Sequence, residues 1–206
     1  MMKFKKIAVL LLVSMSYMSL SAAEVEFNGA LSNDYIWRGM SQTGGEATLS
    51  GGLDVTSSKH GAYFGAWASG VDFESETNKE VDYYFGYADE SARGVSFDFG
   101  YLSYNYPGEG ALDFEEIYVG VAYKWVGVII SKGLEGAPDN TEWSVALGDT
   151  GLGATYGDYD GVGKYKLVSF DFPKEFAGMT FGIGLSDFDG ANGNADEDGF
   201  VITFSM

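Results

Sequence analysis

Residues 117–125 read "IYVGVAYKW". Ile117, Val119, Val121, Tyr123 and Trp125 share one parity; Tyr118, Gly120, Ala122 and Lys124 share the other. A period of two places the sets on opposite faces of a β-strand, one apolar and one small or polar. The same alternation returns in "VDYYFGYA" (81–88), "MTFGIGLS" (179–186) and "FVITFSM" (200–206). No stretch after residue 23 carries a helical period.

Extended along the chain, the pattern gives about twelve strand segments. They run roughly 24–36, 46–56, 61–71, 79–88, 94–105, 114–124, 126–132, 141–149, 151–158, 164–172, 178–186 and 199–206. Their connections alternate in length. "WRGMSQTGG", "DFESETN", "NYPGEGALD", "GLEGAPDN", "DYDGVG" and "DFDGANGNADED" are longer, acidic or glycine-rich. Tighter turns lie between them, around "SSKHG", "DESARG", "KWVG", "DTG" and "PKEFAG". Pro107, Pro138 and Pro173 all fall in connections, where a missing N–H costs no ladder bond.

A soluble sandwich also alternates, but it buries its apolar faces and shows polar ones to water. Here the second face is rich in Gly, Ala and Ser, as a crowded lumen requires. Long loops at one end and short turns at the other are the habit of transmembrane barrels. The expectation is therefore an all-β, antiparallel transmembrane β-barrel of about 12 strands over residues 24–206.

Residues 1–23, "MMKFKKIAVLLLVSMSYMSLSAA", place Lys3, Lys5 and Lys6 before an apolar run that ends in small residues. That is the order of a cleaved secretory signal peptide. The chain has 12 basic and 30 acidic residues, so losing those three lysines leaves 9 against 30, a net charge of −21. Such acidity excludes nucleic acid as a partner, because phosphate binding needs clustered Lys and Arg. The chain has no cysteine, so an exported form is held without disulfides. Export and a barrel together predict the bacterial outer membrane, with its lipid and lipopolysaccharide and the barrel-assembly machinery as partners.

Residues 32–43, "SNDYIWRGMSQT", then read as the top of the first strand and its first outer loop. Tyr35 and Trp37 share the apolar parity of Phe27 and Leu31; Asp34 and Arg38 take the lumen parity. Catalysis has little support. The one histidine, His60, falls in a short turn at the opposite end, so no base is available for Ser–His or His–Asp chemistry. No catalytic residue, cofactor or metal site is expected. "DFDGANGNADEDG" (187–199) offers hard oxygen ligands, but Ala191 stands where an EF-hand loop needs its third ligand and no glutamate closes the loop. A solvated acidic loop is the better reading.

The stretch 32–43, with "GGLDV" (51–55), "GAYFGAWAS" (61–69) and "DFEEIYVGVAY" (113–123), resembles the TorF family of proposed porins, long grouped with bacterial proteins of unknown function. The resemblance covers the first half of the mature chain; the second half agrees in pattern rather than in words. It implies an outer-membrane barrel and a porin-like role, and supplies neither substrate nor catalytic residues.

Parity then predicts a pore lined by Asp34, Arg38, Asp54, Asp82, Asp98, Glu116, Lys124, Glu142 and Lys166. It also predicts interfacial girdles of Trp37, Trp143 and Tyr165 at the outer rim and Tyr63, Tyr87 and Trp125 at the other. The expected function is passive diffusion of small solutes with a preference for cations. The alternative is a non-conducting barrel with a structural or loop-mediated binding role.

Overall fold

The computed structural model describes residues 16–20, 23–58, 60–175 and 178–206. The strands are β1 (Ser16–Leu20), β2 (Ala23–Ser32), β3 (Ile36–Trp37), β4 (Met40–Ser41), β5 (Thr48–Ser57), β6 (Ala62–Gly70), β7 (Lys79–Glu90) and β8 (Val95–Asn105). They continue as β9 (Phe114–Tyr123), β10 (Val126–Gly133), β11 (Asn140–Ala146), β12 (Leu152–Tyr159), β13 (Gly163–Asp171), β14 (Thr180–Gly190) and β15 (Glu197–Ser205). β2 pairs with β5, each later strand pairs with its successor, and β15 returns to β2. All these pairings are antiparallel, and the ring of β2 and β5–β15 is a closed twelve-stranded barrel. Closure leaves no unpaired sheet edge, the condition a strand-built wall must meet in hydrocarbon.

The seam is the thinnest joint. β15 meets β2 only at Ala30–Ser32, helped by a pair of backbone bonds between Gly29 and Met206 at 2.9 and 3.2 Å. Below it, β1 forms a hairpin with Ala23–Phe27. The rest of the segment expected to be a signal peptide, 1–15 with 21 and 22, lies outside the described residues.

The barrel is inside-out relative to a soluble protein. Leu49, Phe64, Tyr83, Phe85, Val119, Leu185 and Phe200 point outward, each at least half exposed. Glu80 and Glu116, by contrast, are buried at 1% exposure, and Asp82, Ser69, Ser131, Ser169 and Ser186 are buried with them. A contiguous apolar exterior this large fits a hydrocarbon surrounding. It removes the sandwich, whose apolar faces would meet in a core.

Connections 33–47, 71–78, 106–113, 134–139, 160–162 and 191–196 share one end, here the long-loop end. Connections 58–61, 91–94, 124–125, 147–151 and 172–179 share the other. Length does not alternate without exception. The "DYDGVG" connection shrinks to three residues because both flanking strands extend into it, and 172–179 takes eight around Pro173. The larger departure is at the start: the first wall strand, expected to reach residue 36, ends at Ser32.

Candidate functional site

After Ser32 the chain leaves the wall and folds into the lumen as the β3–β4 hairpin, with Ile36 opposite Ser41 and Trp37 opposite Met40. Arg38 (φ 48°) and Gly39 (φ 84°) form the two-residue tip. Positive φ at both positions is the turn that matches strand twist in a tight hairpin, and it is costly for an arginine. The stem is tied by Asp34, which accepts hydrogen bonds from Ser41 Oγ at 2.8 Å and Thr43 Oγ1 at 2.7 Å. The Gln42 N–H closes it on the Tyr35 carbonyl at 2.7 Å.

What holds the tip is on the far wall. Arg38 Nη1 and Nη2 each donate to one carboxylate oxygen of Glu116 on β9, both at 2.7 Å. The pair is nearly dry, with side chains 9% and 2% exposed. The guanidinium also lies 4.4 Å from the Trp37 ring centre and 4.8 Å from that of Tyr159. A planar fork matched to a carboxylate and stacked on aromatics is an arrangement only arginine fills.

Trp37 sits between two apolar clusters. One is Val71, Tyr104 and Tyr106; the other is Tyr159, Tyr165 and Phe188. Its ring meets Tyr104, Phe114 and Tyr159 edge-on at 5.6, 5.8 and 5.6 Å. Tyr35 donates to Glu80 Oε1 on β7 at 2.9 Å, and the Ser41 N–H donates to Glu197 Oε2 on β15 at 2.9 Å. The hairpin therefore spans the lumen and reaches walls on both sides. Beneath it lies a cavity of about 110 Å³, lined by Ser32, Ser50, Ser69, Ser169 and Thr203 with Trp67 and Tyr35.

The rest of the interior is filled by tyrosines laid across neighbouring glycines. A Cβ at Gly65 would come within 2.5 Å of the Tyr84 ring, and one at Gly86 within 2.4 Å of the Tyr63 hydroxyl. Glycines of the small face are thus seats for aromatic rings. Tyr63 donates to Asp98 at 2.7 Å and its hydroxyl meets that of Tyr118. Tyr84 and Asn28 donate to the two oxygens of Asp54 at 2.6 and 3.1 Å. Tyr165 donates to Glu142 at 2.8 Å.

Asp34, Asp54, Asp82, Asp98, Glu116 and Glu142 all face the lumen, and Arg38 reaches it from the hairpin. Two lysines do not. Lys166 points outward and pairs with Asp187 at 2.6 Å and Asp189 at 3.4 Å, because β13 turns Tyr165, Leu167 and Ser169 inward. Lys124 is at the tip of the 124–125 turn (φ 58°), exposed, with its ammonium 5.2 Å from the outward Tyr123 ring. Three girdle assignments also change. Trp37 is in the hairpin; Tyr63 and Tyr165 face inward because their hydroxyls have carboxylate partners there. Tyr87, Trp125 and Trp143 lie outside, Tyr87 stacked on Phe97 and Phe99 and Trp143 tilted over Tyr156. Two further lumen residues are Glu80, which shares the parity of Asp82, and Glu197, which precedes the strand expected from residue 199. Both lie within two residues of the strand ends, where a tyrosine and a backbone N–H of the hairpin meet them.

Gly39 permits the seating. A Cβ there would lie 2.6 Å from Tyr165 Cβ and 3.2 Å from Phe188 Cβ, and φ is already left-handed. Gly39→Val is expected to lift the tip from the wall while the barrel stays folded. The check is Trp37 emission, isolated by difference against Trp37→Phe: it should shift to the red and become open to aqueous quencher. An unchanged spectrum would mean that the hairpin does not depend on this contact.

Fold and interior together define a twelve-stranded antiparallel barrel with an apolar exterior, an acidic lumen and an inward hairpin. Residues 18–138, more than half of the chain, match a family described as a bacterial protein of unknown function (Gcw_chp), and the protein belongs to that family. No curated protein and no solved structure matches the chain.

Proposed function

We propose that the protein is an outer-membrane barrel that works as a narrow, cation-preferring channel for small solutes, closed at rest by the β3–β4 hairpin. The observation that carries this reading is the charge of the lumen. Asp34, Asp54, Glu80, Asp82, Asp98, Glu116 and Glu142 face inward, against Arg38 alone among the basic side chains of the described residues. A wall meant only to fill space is better made of neutral groups, since each buried carboxylate costs several kcal/mol unless compensated. Carboxylates of one sign in a low-dielectric wall concentrate counter-ions and repel co-ions.

The membrane setting rests on the apolar exterior, the closed wall and the leader-like order of residues 1–23. Lipopolysaccharide and lipid would meet the exterior, the assembly machinery the unfolded chain, and small solutes the lumen. The reading is of a transport protein and not an enzyme; His60 lies in the 58–61 turn, at the end away from the hairpin. A second reading, a non-conducting barrel with a structural or loop-binding role, is favoured by the depth of the Arg38–Glu116 anchor.

A planar bilayer under a salt gradient tests the two. The zero-current potential should have the sign of cation preference and grow as salt falls, because screening over about 10 Å at 0.1 M weakens the wall charge. Anion preference overturns the reading. Absence of discrete steps, both in the wild type and in a protein lacking the hairpin, selects the non-conducting barrel.

A further inference from the structure

Asp82 Oδ1 is a buried carboxylate oxygen with no hydrogen-bond donor. Asp82 is 6% exposed and stands two residues along β7 from Glu80, which is 1% exposed. A separation of two puts both on the lumen face, with their Cβ atoms side by side. Glu80 accepts from the Tyr35 hydroxyl at 2.9 Å, and the Tyr106 hydroxyl and the Asp82 carboxyl hydrogen-bond to the same group. Among the described residues no ion pair serves either carboxylate. Arg38, the basic group of the lumen, has both of its terminal nitrogens on Glu116.

Ionised together, two adjacent carboxylates in a water-poor wall would repel each other, and each has lost the water that would screen it. Buried charges of this kind are stable when paired or when they coordinate a cation. We propose that Glu80 and Asp82 bind a divalent cation at the inner face of the hairpin. Carboxylate and hydroxyl oxygens are hard ligands, and calcium tolerates the irregular geometry that two wall carboxylates and neighbouring phenols offer better than magnesium does. The inference is independent of whether the barrel conducts. It adds one consequence for the hairpin: Tyr35 belongs to its stem, so a cation held by Glu80 lies next to the stem's own contact with the wall.

Terbium is the probe, because it replaces calcium at oxygen sites and its emission is excited through nearby aromatic rings. Tyr35 and Tyr106 are beside the pair, and Trp67 lies 5.3 Å from Tyr35 between ring centres. The refolded full chain in detergent should give saturable sensitised emission at neutral pH, displaced by calcium. Glu80→Gln with Asp82→Asn should abolish it, and Asp82→Asn alone should weaken binding by about tenfold or more, since affinity follows the ligand charge count. Heat-modifiable gel mobility shows that each variant is folded; the single amide, equal in size and shape, is the safeguard if the double variant is not.

Asp187→Asn with Asp189→Asn, on the outer surface, should leave the signal unchanged. The proposal is overturned if that surface variant removes the emission, if Asp82→Asn binds as tightly as the wild type, or if the wild type shows no saturable emission. In the last case the two carboxyls share a proton rather than a metal.

Discussion

Replacing Ile36–Ser41 with a two-glycine link should raise the single-channel conductance of the reconstituted barrel by about an order of magnitude, since twelve strands lie between barrels packed solid and open porins. The wall itself leaves room: eight strands enclose just enough space for side chains, and sixteen enclose a water channel. What fills the difference at the long-loop end is the hairpin. Its Trp37 bridges the clusters on either side of the lumen, and its Ser41 backbone reaches Glu197 across the seam side. Removing it should join the serine-lined cavity of about 110 Å³ to the outside. The tyrosines over Gly65 and Gly86 remain, so the opened channel should stay narrow and pass small ions more readily than larger solutes. Equal conductance with and without the hairpin would show that the plug does not limit passage.

The wall was legible in the sequence because its two faces differ in chemistry, one apolar and one small or polar. Val81, Tyr83, Phe85 and Tyr87 alternate with Asp82, Tyr84, Gly86 and Ala88 without a break, so β7 has one register that keeps apolar groups outside. Strand ends followed to within a few residues for the same reason. The hairpin was not legible, because alternation survives it. Tyr35 and Trp37 continue the parity of Phe27 and Leu31, yet that parity loses meaning at Asn33, where the chain leaves the wall. The available signal was Gly39 between two alternating dipeptides, a two-residue turn, but Arg38 occupies the place where Asn or Asp would announce it.

Aromatic side chains caused three of the other misplacements, those of Tyr63, Tyr165 and Lys166. Tyr63 and Tyr165 look like girdle residues by type and position, and only their carboxylate partners on other strands, Asp98 and Glu142, show that they point inward. Fixing Tyr165 outward also turned Lys166 inward, since neighbours on a strand must take opposite faces. The long-range partner was the missing information in both cases.

Arg38→Ala should cost about 3–5 kcal/mol, the loss seen when one member of a buried ion pair is removed. The reason lies with the partner left behind. Glu116 is 1% exposed, and without Arg38 its two carboxylate oxygens lose both of their donors inside the barrel. Glu116→Gln should cost less, because the amide oxygen still accepts one bond from the guanidinium, whose charge also rests on the Trp37 and Tyr159 rings. Arg38→Met with Glu116→Leu should recover most of the loss, since apolar groups of similar volume often replace such pairs without penalty. Urea unfolding in detergent, followed by heat-modifiable mobility, measures all three against the wild type. A loss for Arg38→Ala under about 1 kcal/mol, the range of exposed pairs, would show that water reaches Glu116 and that the anchor is not dry. Conductance of the double variant then separates two roles for the pair. If it regains stability and stays closed, apolar packing of Trp37 holds the hairpin and the ion pair only fixes where its tip lies. If it regains stability and opens, the bidentate bond is the latch, and whatever draws Glu116 away from Arg38 opens the barrel.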